Sequence, residues 1–249
     1  MIKFFRQIRF SLMEQNKTTR YFKYAIGEII LVVIGILIAL GINNWNNNRL
    51  DDNRNQELLA KLTNELNLNI KRAIFIDTTA SSFSSRAVYT DSLIKILDKG
   101  IEKKHLKFMT EGTIFYVNTF NLNTAVYEEL KNTGSLYSLG SKKLVTAIQK
   151  YYQLCERESF YNLNYSENLK TLRIRCFEGW SDFRYLYSKK GEEALKHHSW
   201  IFNPRSSNYI KFRQYVYAAN GNSNLMSSKL KGIAKASEDL KELISTEIK

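Results

Sequence analysis

The side chains of this chain that could do acid–base or metal chemistry are few and poorly placed for it. The three histidines are His105 and the adjacent pair His197 and His198. Neighbouring positions on a helix point about 100° apart, so the pair cannot easily bind one ion. Glu193 and His197 share a helical face, yet two ligands at this spacing are common by chance. We therefore expect surface histidines and no metal site.

Sequence motifs for catalysis are also missing. The chain contains no G-x-S-x-G, Walker loop, H-E-x-x-H or C-x-x-C pattern. The usual sequence signatures of hydrolases, nucleotide-binding proteins, zinc proteases and thiol-redox proteins are therefore absent. Glu128 with Glu129 and Glu192 with Glu193 are sequence neighbours that diverge on a helix, so no acid–base pair that faces one substrate is evident. We predict no catalytic, metal-binding or cofactor-binding residue. A site assembled from distant segments stays open, because it leaves no trace in one sequence.

Cys155 and Cys176 are the only cysteines of the chain. If both lie on one unbroken helix, the 21 residues between them correspond to about 31 Å. A disulfide requires Cα atoms within roughly 7 Å. The spacing therefore predicts two buried free thiols, even in an oxidising compartment.

A stripe of small and polar residues lies in a long apolar run. The run, Tyr24–Trp45, reads YAIGEIILVVIGILIALGINNW, contains one charge and is long enough to cross a bilayer as a helix. Glu28, Gly35 and Ala39 fall within about 40° of each other on that helix. Gly35 and Ala39 would allow two helices to approach closely, and a carboxyl on the same face can bond to a neighbour, which predicts a homodimer contact. In the alternative interpretation, which stays open, Glu28 reaches the lipid headgroups and the glycines are simply frequent in membrane helices.

The charges around this run predict the topology. Residues 1–23 contain six basic residues and one acidic residue, which by the positive-inside rule makes them a cytoplasmic tail. The predicted domains are the tail, a transmembrane helix at 24–45 and an extracytoplasmic domain at 46–249. A cleavable signal sequence with a site at Ala39-Leu40-Gly41 is the alternative, but the apolar core of about 18 residues exceeds the usual length of roughly 7 to 15. We favour an uncleaved anchor in the bilayer.

Composition predicts an almost wholly helical protein. Hydrophobic residues make up 44% of the 249 residues, and Pro204 is the only proline, whereas proline disrupts helices most. Residues 139–249 carry nineteen basic and eleven acidic residues, a net charge of +8. This basic half could meet lipid headgroups, anionic glycans or an acidic protein, although a solvated basic surface is the favoured interpretation. With this topology, nucleic acid is not an expected partner.

Apolar periodicity predicts the helices after the membrane segment. Helical spacing first recurs at Leu59, Leu62, Leu66, Ile70, Ala73 and Ile74. Thr78–Ser85 should loosen this helix before Val88–Leu97 resumes a helical pattern that ends near Gly100. An irregular connection follows, with a β-favouring run at Thr113–Phe120 and a short helix from Thr124 to Asn132 capped at Gly134. The aromatic residues of the connection could close one end of a bundle or line a pocket, and core packing is the preferred interpretation: Phe108, Phe115, Tyr116 and Phe120.

Two longer seams follow alternating steps of four and three residues. Ser141 is a plausible N-cap for the first, which consists of Leu144, Ile148, Tyr151, Cys155, Glu158, Asn162, Tyr165, Leu169, Leu172, Cys176, Gly179, Phe183 and Leu186. Glu158 and Asn162 either break it locally or are buried polar residues that set register. After a turn at Trp200–Arg205 the second seam consists of Phe212, Val216, Ala219, Ser223, Met226, Leu230, Ile233, Ser237, Leu240 and Ile244. Its phase runs through Ala219–Asn224, so helix is expected there despite a loop-like composition.

Several segments carry a resemblance to a known family: Tyr24–Ile29 (YAIGEI), Gly35–Leu40 (GILIAL) and Ile42–Trp45 (INNW), and more weakly Ala125–Lys131 with Gly134 and Leu144–Tyr152. In these segments the chain resembles a domain-of-unknown-function family of small single-span membrane proteins that is frequent in the Bacteroidetes group. Asn47 departs from it, since an acidic residue is expected there. The resemblance implies an anchor in a Gram-negative inner membrane with a helical periplasmic domain, and it implies no mechanism.

Together these observations predict an all-α protein with one N-terminal transmembrane helix, then an elongated antiparallel helical bundle with a short irregular crossover segment. The first functional hypothesis is a periplasmic interaction or sensing module that binds a membrane or periplasmic protein or an envelope component, with no cofactor. A 23-residue tail cannot hold a signalling enzyme, so any signal would pass through a partner in the membrane. The alternative hypothesis is an envelope enzyme with its site in the aromatic connection at 108–137.

Overall fold

The protein is an all-α structure, as its sequence predicts. The computed structural model describes Gln7, residues 18–112 and residues 119–247. Helices account for 89% of these described residues, which contain no strand. The α-helices are α1 (Thr18–Thr78), α2 (Phe83–Lys99), α3 (Leu106–Glu111), α4 (Ala125–Asn132), α5 (Lys142–Lys190) and α6 (Ser207–Glu247). Short 3-10 helices lie at Lys103–His105, Ser135–Ser138, Gly191–Lys196 and Ser199–Phe202.

The chain divides into two compact units, and α1 contributes residues to both. Unit 1 comprises Met1–Glu57 and unit 2 comprises Leu58–Lys249. In unit 1, the most apolar 18-residue window of the helix has a mean hydropathy of 2.8, and none of its residues is buried. By length and composition, the described residues therefore include one helix that can cross a membrane.

Unit 2 begins with the last turns of α1 and the turn that follows them. After α1 ends at Thr78, Ser82 caps α2, because its Oγ accepts a hydrogen bond of 3.0 Å from Ser85 N. The weak point predicted at Thr78–Ser85 is confirmed as a turn between two helices. Gly100, with φ of 96°, follows the last residue of α2 at the predicted place, and glycine adopts this conformation without strain.

The connection between α2 and α5 contains the predicted short helix. This helix is α4, and Gly134 follows it closely with φ of 72°, which confirms the predicted C-terminal glycine. Residues 113–118 of the predicted β-favouring run, Phe115 and Tyr116 among them, lie outside the described residues. Phe120 is buried against Phe83, with ring centroids 6.0 Å apart.

Helices α5 and α6 form the long antiparallel pair of unit 2. Ser141 caps α5 by accepting from Leu144 N at 3.1 Å, as predicted. Helix α6 runs unbroken through residues 219–224, so the helical interpretation of that segment is confirmed. The antiparallel register is visible in a hydrogen bond of 2.9 Å between Ser237 and Tyr151 near one end. At the other end, Trp180 stacks on Phe212 with centroids 4.1 Å apart.

Both predicted seams face the interior, with one local correction in the first seam and another in the apolar pattern of α1. All ten residues of the second seam are buried. In the first, Tyr165 is 40% exposed, and Ser166 is buried instead, one helical turn after the buried polar residue Asn162. On α1, Ile74 is 51% exposed and Ile76 takes the interior position. Glu158 is a buried polar residue of the seam and does not break the helix.

The interior of unit 2 holds two hydrophobic clusters with a polar layer between them. The first cluster includes Cys155, and the second includes Cys176. Both cysteines are free and buried, as predicted. The buried polar residues between the clusters are Arg86, Thr90, Glu158, Asn162, Ser166, Asn222 and Ser223. Asn162 accepts a hydrogen bond from Phe120 N and Glu158 accepts from Arg157, and buried polar groups that are bonded in one way favour one register over its alternatives.

Glu158 should make the stability of this layer depend on pH. Burial alone would raise the pKa of this carboxyl, but hydrogen bonds from Lys229 and Arg157 and their charges outweigh it, so the pKa lies below 4.5. A carboxyl whose pKa is lower in the folded than in the unfolded state stabilises the fold at pH values above its unfolded-state pKa. This stabilisation is lost as the pH falls through the folded-state pKa. We expect Glu158→Gln to lower the free energy of unfolding by about 1–3 kcal/mol at pH 7, with the difference shrinking below pH 4.5.

Urea unfolding of the purified protein in detergent at several pH values measures this difference. Glu156→Gln is the matched control, since Glu156 is exposed on the same helix and should change the free energy of unfolding by less than about 0.5 kcal/mol. A Glu158→Gln effect that does not vary with pH would contradict the assignment.

Candidate functional site

The best-defined recess of unit 2 lies where the connection meets α5. It has a volume of about 610 Å³, and we call it the connection cleft. One wall comes from residues 120–131 and the other from residues 152–159. Its lining residues are Phe120, Asn121, Leu122, Thr124, Tyr127, Glu128, Lys131, Tyr152, Gln153, Cys155, Glu156 and Ser159. Part of the predicted aromatic connection therefore borders a cleft, while Phe120 packs in the core as expected.

Stacked tyrosine rings form the aromatic part of the cleft. The rings of Tyr127 and Tyr152 lie 4.0 Å apart at an angle of 4°, and the edge of Tyr151 meets Tyr152 at 4.9 Å. Lys131 Nζ lies 5.3 Å from the Tyr127 ring centroid, a favourable cation–π distance. Each ring thereby restricts its neighbour, and the aromatic surface of the cleft has a defined geometry.

A buried carboxylate on α1 ties the two walls together. Glu65 is 4% exposed, and its Oε1 accepts a hydrogen bond from the Tyr152 hydroxyl. Its Oε2 accepts from Val126 N at 2.7 Å, in the first turn of α4. A carboxylate is stabilised at a helix N-terminus by the free N–H groups and the helix dipole. Glu65 therefore fixes both a cleft tyrosine and the start of α4.

Asn69, one helical turn further along α1, fixes the path of the connection. It is fully buried and pairs with the backbone of Asn123, accepting from its N at 2.6 Å and donating to its carbonyl oxygen at 2.9 Å. It also donates to the Tyr151 hydroxyl at 3.1 Å. Unlike a single contact, this set of bonds holds a backbone segment in one position.

Burial shifts the pKa values of two titratable groups of the cleft, Cys155 and Tyr152. Burial raises the pKa of the Cys155 thiol to about 11, so it stays protonated and unreactive near neutral pH. Burial raises the pKa of Tyr152, and its hydrogen bond to Glu65 raises it further. Both shifts move the groups away from the neutral range that acid–base catalysis uses. The cleft offers aromatic faces and hydrogen-bonding groups.

A second, slightly larger depression lies between α3 and α5. It measures about 640 Å³ and is bordered by Lys107, Phe177 and Arg184. Arg184 Nε donates to the Thr110 carbonyl oxygen at 2.7 Å, so this side chain joins the two helices. The connection cleft is better organised, because buried side chains on α1 position both of its walls.

The histidine prediction is wrong for His198. This side chain is 7% exposed, Trp200 Nε1 donates to its Nδ1 at 3.1 Å, and its Nε2 lies 3.2 Å from an Asp182 carboxylate oxygen. The 3-10 turns that follow α5 fold it inward against Phe183. His197 is exposed as expected. Among residues 18–112 and 119–247, no three His, Cys, Asp or Glu side chains are close enough to hold a metal.

The predicted membrane-helix contact lies entirely on α1. Gly35 and Ala39 are exposed, and a Cβ added to Gly35 would meet no atom within 4 Å. Their spacing with Glu28 puts all three on one face of the helix. The homodimer contact stays a prediction.

Fold and cleft define an all-α protein with one N-terminal helix that is long and apolar enough to span a membrane. Residues 28–178 match the model of a family of unknown function, DUF6090, and the chain belongs to this family. The matched segment contains Glu65, Asn69 and the whole connection cleft. No curated protein and no solved structure matches the chain significantly.

Proposed function

We propose that this protein is a single-pass protein of the bacterial inner membrane whose residues 46–249 form a periplasmic module that binds a protein or an envelope component. The connection cleft is the proposed recognition site. The observation that carries the proposal is that Glu65 and Asn69, which hold the cleft walls, lie on the helix that also contains the apolar run. Occupation of the cleft would act on α1 through these two side chains.

Protease accessibility tests the topology. A C-terminal tag on the protein in spheroplasts with an intact inner membrane should be removed by added protease, and the untreated protein should keep its full mass in the membrane fraction. A protected tag would reverse the topology. A shortened protein in the soluble periplasmic fraction would favour signal cleavage.

Photo-crosslinking tests recognition by the cleft. Gln153 is exposed in the cleft lining, so a photoreactive amino acid there should give a discrete adduct in cells. The same amino acid at Lys189, exposed near the other end of α5, is the control. Equal labelling at both positions, or none at Gln153, would count against the cleft.

The proposal includes self-association through the membrane helix, and one substitution tests this part of it. Gly35→Leu adds bulk to the face shared with Glu28 and Ala39, so it should reduce the cross-linked dimer several-fold. Gly41→Leu is the matched control, because Gly41 lies on the opposite face and an added Cβ there is equally unhindered. Unchanged cross-linking in Gly35→Leu would rule out this contact.

An envelope enzyme is the second candidate, favoured only because one wall of the cleft lies within residues 108–137. The raised pKa values of Cys155 and Tyr152 argue against a nucleophile or an acid–base group at its centre. Turnover of an envelope substrate that is lost in a Tyr127→Ala variant would support this candidate over a binding module.

A further inference from the structure

A shallow apolar groove runs between the first turns of α5 and the last turns of α6. It consists of two adjoining depressions of about 480 and 410 Å³, which share Ala147, Lys150 and Leu243. Ala147 and Leu243 are half-buried, as are Leu154 and Ala236 further along. We call this surface the α5–α6 groove. It lies apart from the connection cleft, and the two share no lining residue.

The dimensions of the groove fit a short helix. From Lys142 to Leu154 it follows twelve residues of α5, or about 18 Å, which is roughly three helical turns. Ala147 and Ala236 present small side chains to the groove, and small residues let another helix approach closely. An amphipathic helix fits such a groove with apolar residues at i, i+3 or i+4, and i+7.

The rim of the groove carries unpaired positive charge. Its lining contains Lys142, Lys143, Lys150 and one carboxylate, Asp239, a net charge of three minus one, or +2. Hydrogen bonds from Ser141 lower the pKa of the Glu247 carboxyl, and the positive charge of Lys143 helps to lower it. Lys142 and Lys150 form no ion pair with any residue in the described part of the chain.

Some of the other exposed lysines of unit 2 form ion pairs. Lys61 pairs with Glu129 at 3.4 Å and Lys103 with Glu192 at 2.7 Å. The two rim lysines are instead positioned eight residues apart on one helix, beside apolar side chains. This combination of an apolar floor and unpaired cations favours an acidic, amphipathic occupant.

We propose that the α5–α6 groove docks an acidic amphipathic helix of a partner protein, with apolar side chains between Ala147 and Leu243 and carboxylates at Lys142 and Lys150. A second copy of this chain is disfavoured, because it would bring the same net positive charge to the interface. A lipid surface is disfavoured because headgroups would meet the lysines and leave the apolar floor unfilled. The proposal does not depend on which side of the membrane holds unit 2.

Fluorescence anisotropy with the full-length protein in nanodiscs of zwitterionic lipid tests this docking. The probe is a fluorescein-labelled helical peptide of about three turns, with leucines at i, i+3 and i+7 and glutamates on both flanks. Saturable binding is expected, with a dissociation constant at least about tenfold higher for Lys142→Glu/Lys150→Glu and also higher for Ala147→Gln. Lys95→Glu/Lys189→Glu is the matched control, since both lysines are exposed and distant in sequence.

A charge-swapped probe separates loss of docking from loss of folding. The peptide with lysines in place of glutamates should bind the Lys142→Glu/Lys150→Glu variant and not the unaltered protein. Failure of the acidic peptide to saturate, or equal weakening in the control variant, would overturn the proposal. So would displacement of the peptide by phosphatidylglycerol vesicles, which would make the groove a lipid site, or a dimer that dissociates in the charge-reversed variant, which would assign it to a second copy.

Discussion

Replacing Asn69 with alanine is expected to lower the free energy of unfolding by about 2–4 kcal/mol. The side chain is fully buried and bonds to both backbone groups of Asn123 and to the Tyr151 hydroxyl. Without it, the buried N–H and carbonyl groups of Asn123 lose their partners, and each such loss costs roughly 1–3 kcal/mol. Urea unfolding of the purified protein measures the effect.

Hydrogen exchange distinguishes a local from a global effect of this substitution. In Asn69→Ala, amide exchange in residues 119–126 should accelerate more than in α5, because Asn69 holds this segment of the connection. Asn64→Ala is the control, since Asn64 is exposed on the same helix and should cost less than about 0.5 kcal/mol. Equal effects of the two alanines would show that the bonds to Asn123 do not position the cleft.

Replacing Trp180 with alanine is expected to cost about 3–5 kcal/mol of folding free energy. The Trp180 side chain is 1% exposed and stacks on Phe212 at 4.1 Å, with Phe183 at 5.7 Å. Its removal leaves a cavity in the second hydrophobic cluster, where the surrounding helices relax only partly. Thermal unfolding followed by circular dichroism measures the loss.

Phe177→Ala is the control for the aromatic residue itself. Phe177 lies on the same helix but is 43% exposed, so its truncation should cost less than about 1 kcal/mol. A Trp180→Ala loss no larger than that of Phe177→Ala would mean that the second cluster is loosely packed.

The helices could be predicted from apolar periodicity because each long helix buries one face against a neighbouring helix, and that face recurs at helical spacing in the sequence. The second seam is the clearest case, since helix α6 keeps one buried face from Phe212 to Ile244. The same reasoning fails locally at Tyr165, where the polar layer accepts Ser166 and the ring turns outward. Periodicity therefore identifies which face of a helix is buried, but it does not show where along that face the interior is polar.

The cleft could not be predicted in the same way, because distant segments assemble it. Glu65 meets Val126 across 61 positions, and Asn69 meets Asn123 across 54. The one local signal is that both are polar residues within the apolar arc of Leu62 and Leu66. This signal indicates buried polar groups on α1 but names no partner. The burial of His198 is equally non-local, since it depends on irregular turns after α5.

The two buried cysteines allow local opening of the protein interior to be measured. Cys155 lies in one hydrophobic cluster and Cys176 in the other, and burial raises their pKa values to about 11 and about 12. A buried thiol is alkylated only when its surroundings open. Alkylation rates under native conditions, resolved for each cysteine by mass spectrometry, therefore report the opening of each cluster separately. The unaltered protein thus contains one native kinetic reporter in each half of its interior.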